Sequence, residues 1–120
     1  MSSIKLVENN MRKSGQINGE IPMTRQQLLE RSIAQLRETL RSKLPPHTPV
    51  YLFGSRARED HRWNSDFDFW IDADLAPSTL AELDEQIEES FIPFHVDLVT
   101  TAQLAGRFGE IVRSEAKRWM

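Results

Sequence analysis

The sequence predicts an α+β fold, a small mixed β-sheet with helices packed on one face. Three observations predict it. Leucines recur at helical spacing between Thr24 and Leu44; Val50 to Phe53 is an apolar run of strand length; and Asp66 to Asp72 alternates between apolar and other residues. With 120 residues, 39% of them hydrophobic, the chain has material for one core.

The elements follow in order. Residues 1–22 mix Asn, Ser, Gly, Lys and Glu with isolated apolar residues at no period, which predicts a flexible extension ahead of a domain over 23–120. Thr24 and Gln27 fit a capping box, and Leu28, Leu29, Ile33, Leu36, Leu40 and Leu44 give the helix that follows one apolar face. That helix should stop before Pro45-Pro46, because proline disfavours helical geometry in the residue before it. Val50 to Phe53, bounded by Pro49 and Gly54, reads as a buried strand ending in a turn. In the second strand Asp66, Asp68, Trp70 and Asp72 share one face, and Phe67, Phe69 and Ile71 share the other. Ser78 or Thr79 is the expected cap of a helix reaching about Ser90, with Leu80, Leu83 and Ile87 inward. Phe94 to Val99 is the third strand. A capping box of Thr100 and Gln103 then opens a last helix supported by Leu104, Phe108, Ile111, Val112, Ala116 and Trp119.

Composition excludes several classes. A net charge of −3 leaves no broad basic surface, so an extended nucleic-acid interface is not expected. The absence of cysteine excludes disulfides and thiolate metal sites. No apolar run approaches the roughly 20 residues of a membrane span, and none has the form of a signal peptide. The expected location is the cytoplasm.

The chemistry is concentrated between Gly54 and Asp72, GSRAREDHRWNSDFDFWID. Residues two apart on a strand point to the same side, so Asp66 and Asp68 can converge on one cation. Gly54-Ser55-Arg56-Ala57-Arg58, followed by Ser65-Asp66-Phe67-Asp68 and then by Asp97 within His95-Val96-Asp97-Leu98-Val99, resembles the minimal nucleotidyltransferases of the DNA polymerase β-like superfamily. The likeness extends from about Thr24 to Trp119.

This resemblance implies a metal-dependent transfer of a nucleoside monophosphate, with Asp66, Asp68 and Asp97 as catalytic and metal-binding residues. Two Mg2+ ions are expected, because nucleotidyl transfer builds negative charge on both the attacking and the leaving oxygen. ATP is the expected donor. Gly54, Ser55, Arg56, Arg58 and Ser65 are the expected nucleotide-binding residues: the glycine admits the triphosphate close to the backbone, and the serine donates to phosphate oxygens. Either Arg58 or Arg62 can supply a side-chain clamp. Asp97 is also the candidate proton acceptor for the attacking hydroxyl.

One residue departs from the family pattern. Relatives commonly carry glycine after the second arginine, where this chain has Glu59. A positive φ at that position would strain it.

Other residues have plainer readings. His95 shares a strand face with Asp97, whereas His47 and His61 read as loop residues. Trp70 lies on the acidic face and can either stack on a base or pack at the sheet rim. Glu82 to Glu89 reads as the wet side of a helix.

Larger superfamily members add a helical domain that holds the acceptor, and 120 residues are not expected to accommodate one. The resemblance therefore implies an antitoxin that transfers AMP to a tyrosine of a HEPN-domain partner. The alternatives are transfer to a small molecule held by a separate subunit, and a catalytically silent antitoxin that only covers its partner. Self-association is left open.

Overall fold

The computed structural model describes residues 23–120. The extension expected over 1–22 lies outside the described residues.

Helix α1, Arg25–Lys43, opens with the predicted capping box: the Gln27 amide donates to Thr24 Oγ1 at 3.0 Å, and the Thr24 amide donates to Gln27 Oε1 at 3.0 Å. It ends at an extended Leu44, as the following prolines require. Strand β1 is Val50–Phe53. A single helical turn, α2, Ser55–Arg58, follows Gly54 and leads towards β2, Phe67–Ile71. Helix α3, Pro77–Glu88, begins two or three residues earlier than expected, with Ala76 as its cap in place of Ser78 or Thr79 and no side-chain capping bond. Proline already holds helical φ and needs no partner for a missing N–H, so Pro77 starts the helix without help from Ser78 or Thr79. Strand β3, Val96–Thr100, is shifted two residues from the predicted start.

The end of the chain differs most from expectation. The Thr100–Gln103 capping box is present, but it caps only a 3-10 turn, Thr101–Gln103. Gly106 at φ 59 breaks the path. Helix α4 then runs Gly106–Glu115, and the chain straightens into β4, Lys117–Arg118. The helix expected to continue through Ala116 and Trp119 is therefore corrected. The free edge of β1 needs backbone partners, and the last residues supply them: Tyr51 faces Arg118, Leu52 faces Lys117, and the Trp119 amide donates to Val50 O at 2.8 Å.

The resulting four-stranded sheet has the order β3-β2-β1-β4, parallel between β2 and β3 and antiparallel elsewhere. On one face Val50, Phe67, Phe69, Ile71 and Leu98 meet Leu36, Leu40 and Leu44 of the α1 region and Leu83 and Ile87 of α3. Burying each such side chain contributes about 1.5–3 kcal/mol. Trp119 closes this core from the edge, its ring 4.6 Å from that of Phe69. The opposite face carries a second cluster, in which Phe53, Trp70 and Val99 pack with Leu104 and with Val112 of α4. No helix among the described residues is long and apolar enough to cross a membrane.

Candidate functional site

Alternation in β2 sends Phe67, Phe69 and Ile71 into the core and leaves Asp68 and Trp70 on the α4 side. The parallel ladder sets Asp68 directly opposite Asp97 of β3, and the antiparallel ladder sets it opposite Phe53, the residue before Gly54. Asp68 thus stands between the third strand's aspartate and the turn that ends the first strand. Asp66 lies just before β2, exposed at its mouth.

Electrostatics mark Asp68 out. Its carboxyl is pushed up to about 6, chiefly by burial, then by the charges of Asp97 and Asp66 and a hydrogen-bonded contact with Asp97. His95 Nε2 lies 3.1 Å from Asp97 Oδ1, with both side chains exposed, and its charge partly offsets the repulsion.

The site has the chemistry a magnesium ion needs. Its donors are hard carboxylate oxygens, crowded closely enough that one resists ionisation, and a divalent cation would relieve that repulsion. Magnesium retains several waters, so a few carboxylates suffice. Among the described residues, however, no group of three Asp, Glu or His side chains stands in a ligating arrangement. Asp68 and Asp97 are brought together; Asp66 acts on Asp68 through its charge.

Gly54 has φ 77 and ψ −157, a region essentially reserved for glycine. A Cβ there would lie 2.3 Å from Asp68 Oδ2, so this residue makes room for the carboxylate. Ser55 begins α2, half-buried.

Arg56, expected among the nucleotide-binding residues, is turned inward. It is 8% exposed; its Nε donates to Ser65 O at 3.1 Å, and its Nη2 donates to Trp63 O at 2.8 Å and Ser65 O at 2.9 Å. The guanidinium also lies 4.0 Å from the Phe67 ring centroid. Arg56 is a bracket for the loop that delivers β2. Ser65 belongs to the same bracket, since its Oγ accepts the Arg62 amide at 2.8 Å.

Arg58 remains at the surface beside the Gly54 turn. It donates to Asp60 at 3.2 Å and to Glu115 at 2.9 Å. Glu59 adopts φ 67, the left-handed geometry that makes glycine usual there, and its carboxylate pairs with Lys117 at 3.3 Å. Trp70 is a packed residue: its ring stacks on Tyr51 at 4.6 Å, and its indole N–H donates to Thr101 Oγ1 at 2.9 Å. Glu115, which donates no signal to any motif, was not legible as a site residue; its only mark in the sequence is an acid in the last turn of a helix, where the dipole disfavours it.

A family model described as a nucleotidyltransferase domain matches residues 33–119. No curated protein matches the chain significantly in sequence. Among solved structures, a chain from a toxin–antitoxin crystal structure with AMP-PNP is 27% identical at a TM-score of 0.59, covering 72% of this chain and 72% of that one. A chain of the MntA-HepT toxin–antitoxin is 25% identical at a TM-score of 0.55, covering 75% and 71%. A structure described as a minimal nucleotidyltransferase is 31% identical at a TM-score of 0.55, covering 74% of this chain and 93% of its own. The match covers the Gly54 turn and the Asp68–Asp97 pair, and the chain belongs to the nucleotidyltransferase domain family, with minimal nucleotidyltransferases among its structural neighbours.

Proposed function

We propose that this nucleotidyltransferase moves AMP from ATP to a hydroxyl of a HEPN-domain protein and so acts as that protein's antitoxin. The observation that carries the reading is the apposition of Asp68 and Asp97 beside Gly54. The similarity to a toxin–antitoxin solved with AMP-PNP supports an adenine nucleotide and a protein partner. The absence of cysteine is in keeping with a cytoplasmic setting.

In this reading Asp66, Asp68 and Asp97 hold magnesium, which supplies neutralisation of the charge that develops around the α-phosphorus. The Gly54 turn admits the triphosphate, and Ser55 and Arg58 contact its oxygens. The acceptor oxygen bonds to the α-phosphorus as the bond to the β-phosphate oxygen breaks, and pyrophosphate leaves. Asp97 takes the hydroxyl proton, and the His95 contact fixes the orientation of its carboxylate.

The test is mass spectrometry of the HEPN-domain partner after incubation with ATP, magnesium and either wild type or Asp97→Asn. The reading expects a mass gain of one AMP with wild type and none with the variant, while the two proteins still bind. Modification of an added small molecule in place of the partner would move the acceptor to that class. Tight binding without any modification would leave a silent antitoxin.

A further inference from the structure

Glu115 occupies a position that disfavours a carboxylate. It is the last residue of α4, where unpaired carbonyls and the negative end of the helix dipole repel an acid. Even so, its side chain is only 19% exposed, and both its oxygens are engaged. Oε1 accepts the Gly54 amide at 3.1 Å, and Oε2 accepts Arg58 Nη1 at 2.9 Å. One carboxylate therefore joins the end of α4 to both sides of the Gly54 turn.

Topology explains how it gets there. Strand β1 lies between β2 and β4, and its ladder with β4 covers Tyr51 and Leu52 only. Beyond that point the chain leaves the sheet for α4, and the Glu115 carboxylate takes the place of a ladder carbonyl for Gly54. The bond approaches from the β4 side of β1, whereas Asp68 lies on the β2 side. Glu115 thus holds the turn from the side away from Asp68, whose carboxylate packs on Gly54 from the other. Arg58 is held the same way: Nε meets Asp60 and Nη1 meets Glu115, while the side chain stays 47% exposed with further N–H donors to offer an anion.

We propose that Glu115 is a positioning residue for the donor triphosphate, holding Gly54 and the Arg58 guanidinium in the geometry that receives phosphate oxygens. This rests on the reading of Gly54 to Arg58 as the nucleotide-binding segment. A charged clamp helps only when it is fixed before the ligand arrives, and a bidentate carboxylate anchored to the backbone fixes it. The arrangement also makes α4 a lever on the turn, since any displacement of the helix end moves Gly54 and Arg58 together.

The experiment measures ATP affinity by calorimetry, and KM for ATP and kcat for AMP transfer, in Glu115→Ala, Glu115→Gln, Arg58→Ala and the Arg58→Ala/Glu115→Ala double variant. Thermal unfolding of each variant checks that it is folded. Glu115→Ala should raise KM for ATP about tenfold and leave kcat within about twofold, because ground-state binding is what the clamp serves. Glu115→Gln keeps an acceptor for Gly54 and loses the charge facing Arg58, so its effect should be intermediate and should verify the proposal even if the alanine variant unfolds. In the Arg58→Ala background, Glu115→Ala should cost less than about threefold, since residues acting as a unit are not additive. Full additivity, an unchanged KM or a tightened ATP affinity would each overturn the proposal, the last by showing that the carboxylate competes with the triphosphate. Failure of the wild type to bind ATP would overturn the nucleotide-binding reading itself, and the proposal with it.

Discussion

Gly54 and Asp68 are packed so closely that position 54 has no space for a side chain: a Cβ would stand 2.3 Å from Asp68 Oδ2. The contact ties the turn after β1 to the central carboxylate of the acidic face. A residue that first reads as a phosphate-binding glycine is also part of the housing of a site aspartate.

Gly54→Ala should accordingly do more harm than its size suggests. The clash with Asp68 adds to backbone strain of order 1–3 kcal/mol at a φ of this kind. We expect a loss of stability and a larger fall in ATP affinity than in Ser55→Ala, which removes one hydroxyl. Thermal unfolding and calorimetry on both variants check this; a Gly54→Ala protein with wild-type stability and affinity would contradict it.

The raised Asp68 carboxyl gives a pH dependence of defined sign. Its ordinary value is 3.8 and its folded value about 6, so between these the folded metal-free protein retains a proton that the unfolded chain releases. Stability should therefore fall as pH rises through that window and level off above it. Asp68→Asn, measured in EDTA, should be stabilised relative to wild type at pH above about 6 and gain least near pH 4. Magnesium affinity of the wild type should weaken as pH falls through about 6, because cation and proton compete for the carboxylate. Parallel unfolding profiles for wild type and variant across the window would show that the carboxyl is not raised.

At Glu59 the backbone already adopts the conformation that glycine prefers. The left-handed geometry costs a non-glycine residue about 1–2 kcal/mol, and the exposed pair with Lys117 returns little. Glu59→Gly should raise stability by about 1 kcal/mol, somewhat less than the strain, because glycine also loses more freedom on folding. Denaturant unfolding measures it directly; destabilisation would mean the Lys117 pair matters more than the backbone.

Arg56→Met separates a bracket from a phosphate ligand. The buried guanidinium satisfies the Trp63 and Ser65 carbonyls and covers Phe67, so its loss should cost about 2–4 kcal/mol of stability. Unchanged unfolding with weakened ATP binding would instead return Arg56 to the nucleotide.

Local chemistry determined much of this protein from the sequence alone. The Thr24–Gln27 box, the prolines after Leu44 and the alternation of Phe67, Phe69 and Ile71 against Asp68 and Trp70 are properties of short segments, and they place α1, β1 and β2. The strand period likewise put Asp68 on the face opposite the core, where it meets Asp97. Tertiary structure decided what depends on partners distant in sequence. The helical period through Trp119 yielded to the unpaired edge of β1, because backbone groups left without partners cost more than a helical turn gains. Arg56, adjacent to Ser55 in the motif, turned inward because the Trp63 and Ser65 carbonyls and the Phe67 ring lay within its reach. Glu115 and Gly54 are 61 residues apart, and no period or motif connects them; only the order of strands β2, β1 and β4 brings the end of α4 behind the turn and gives its carboxylate an amide and a guanidinium to hold.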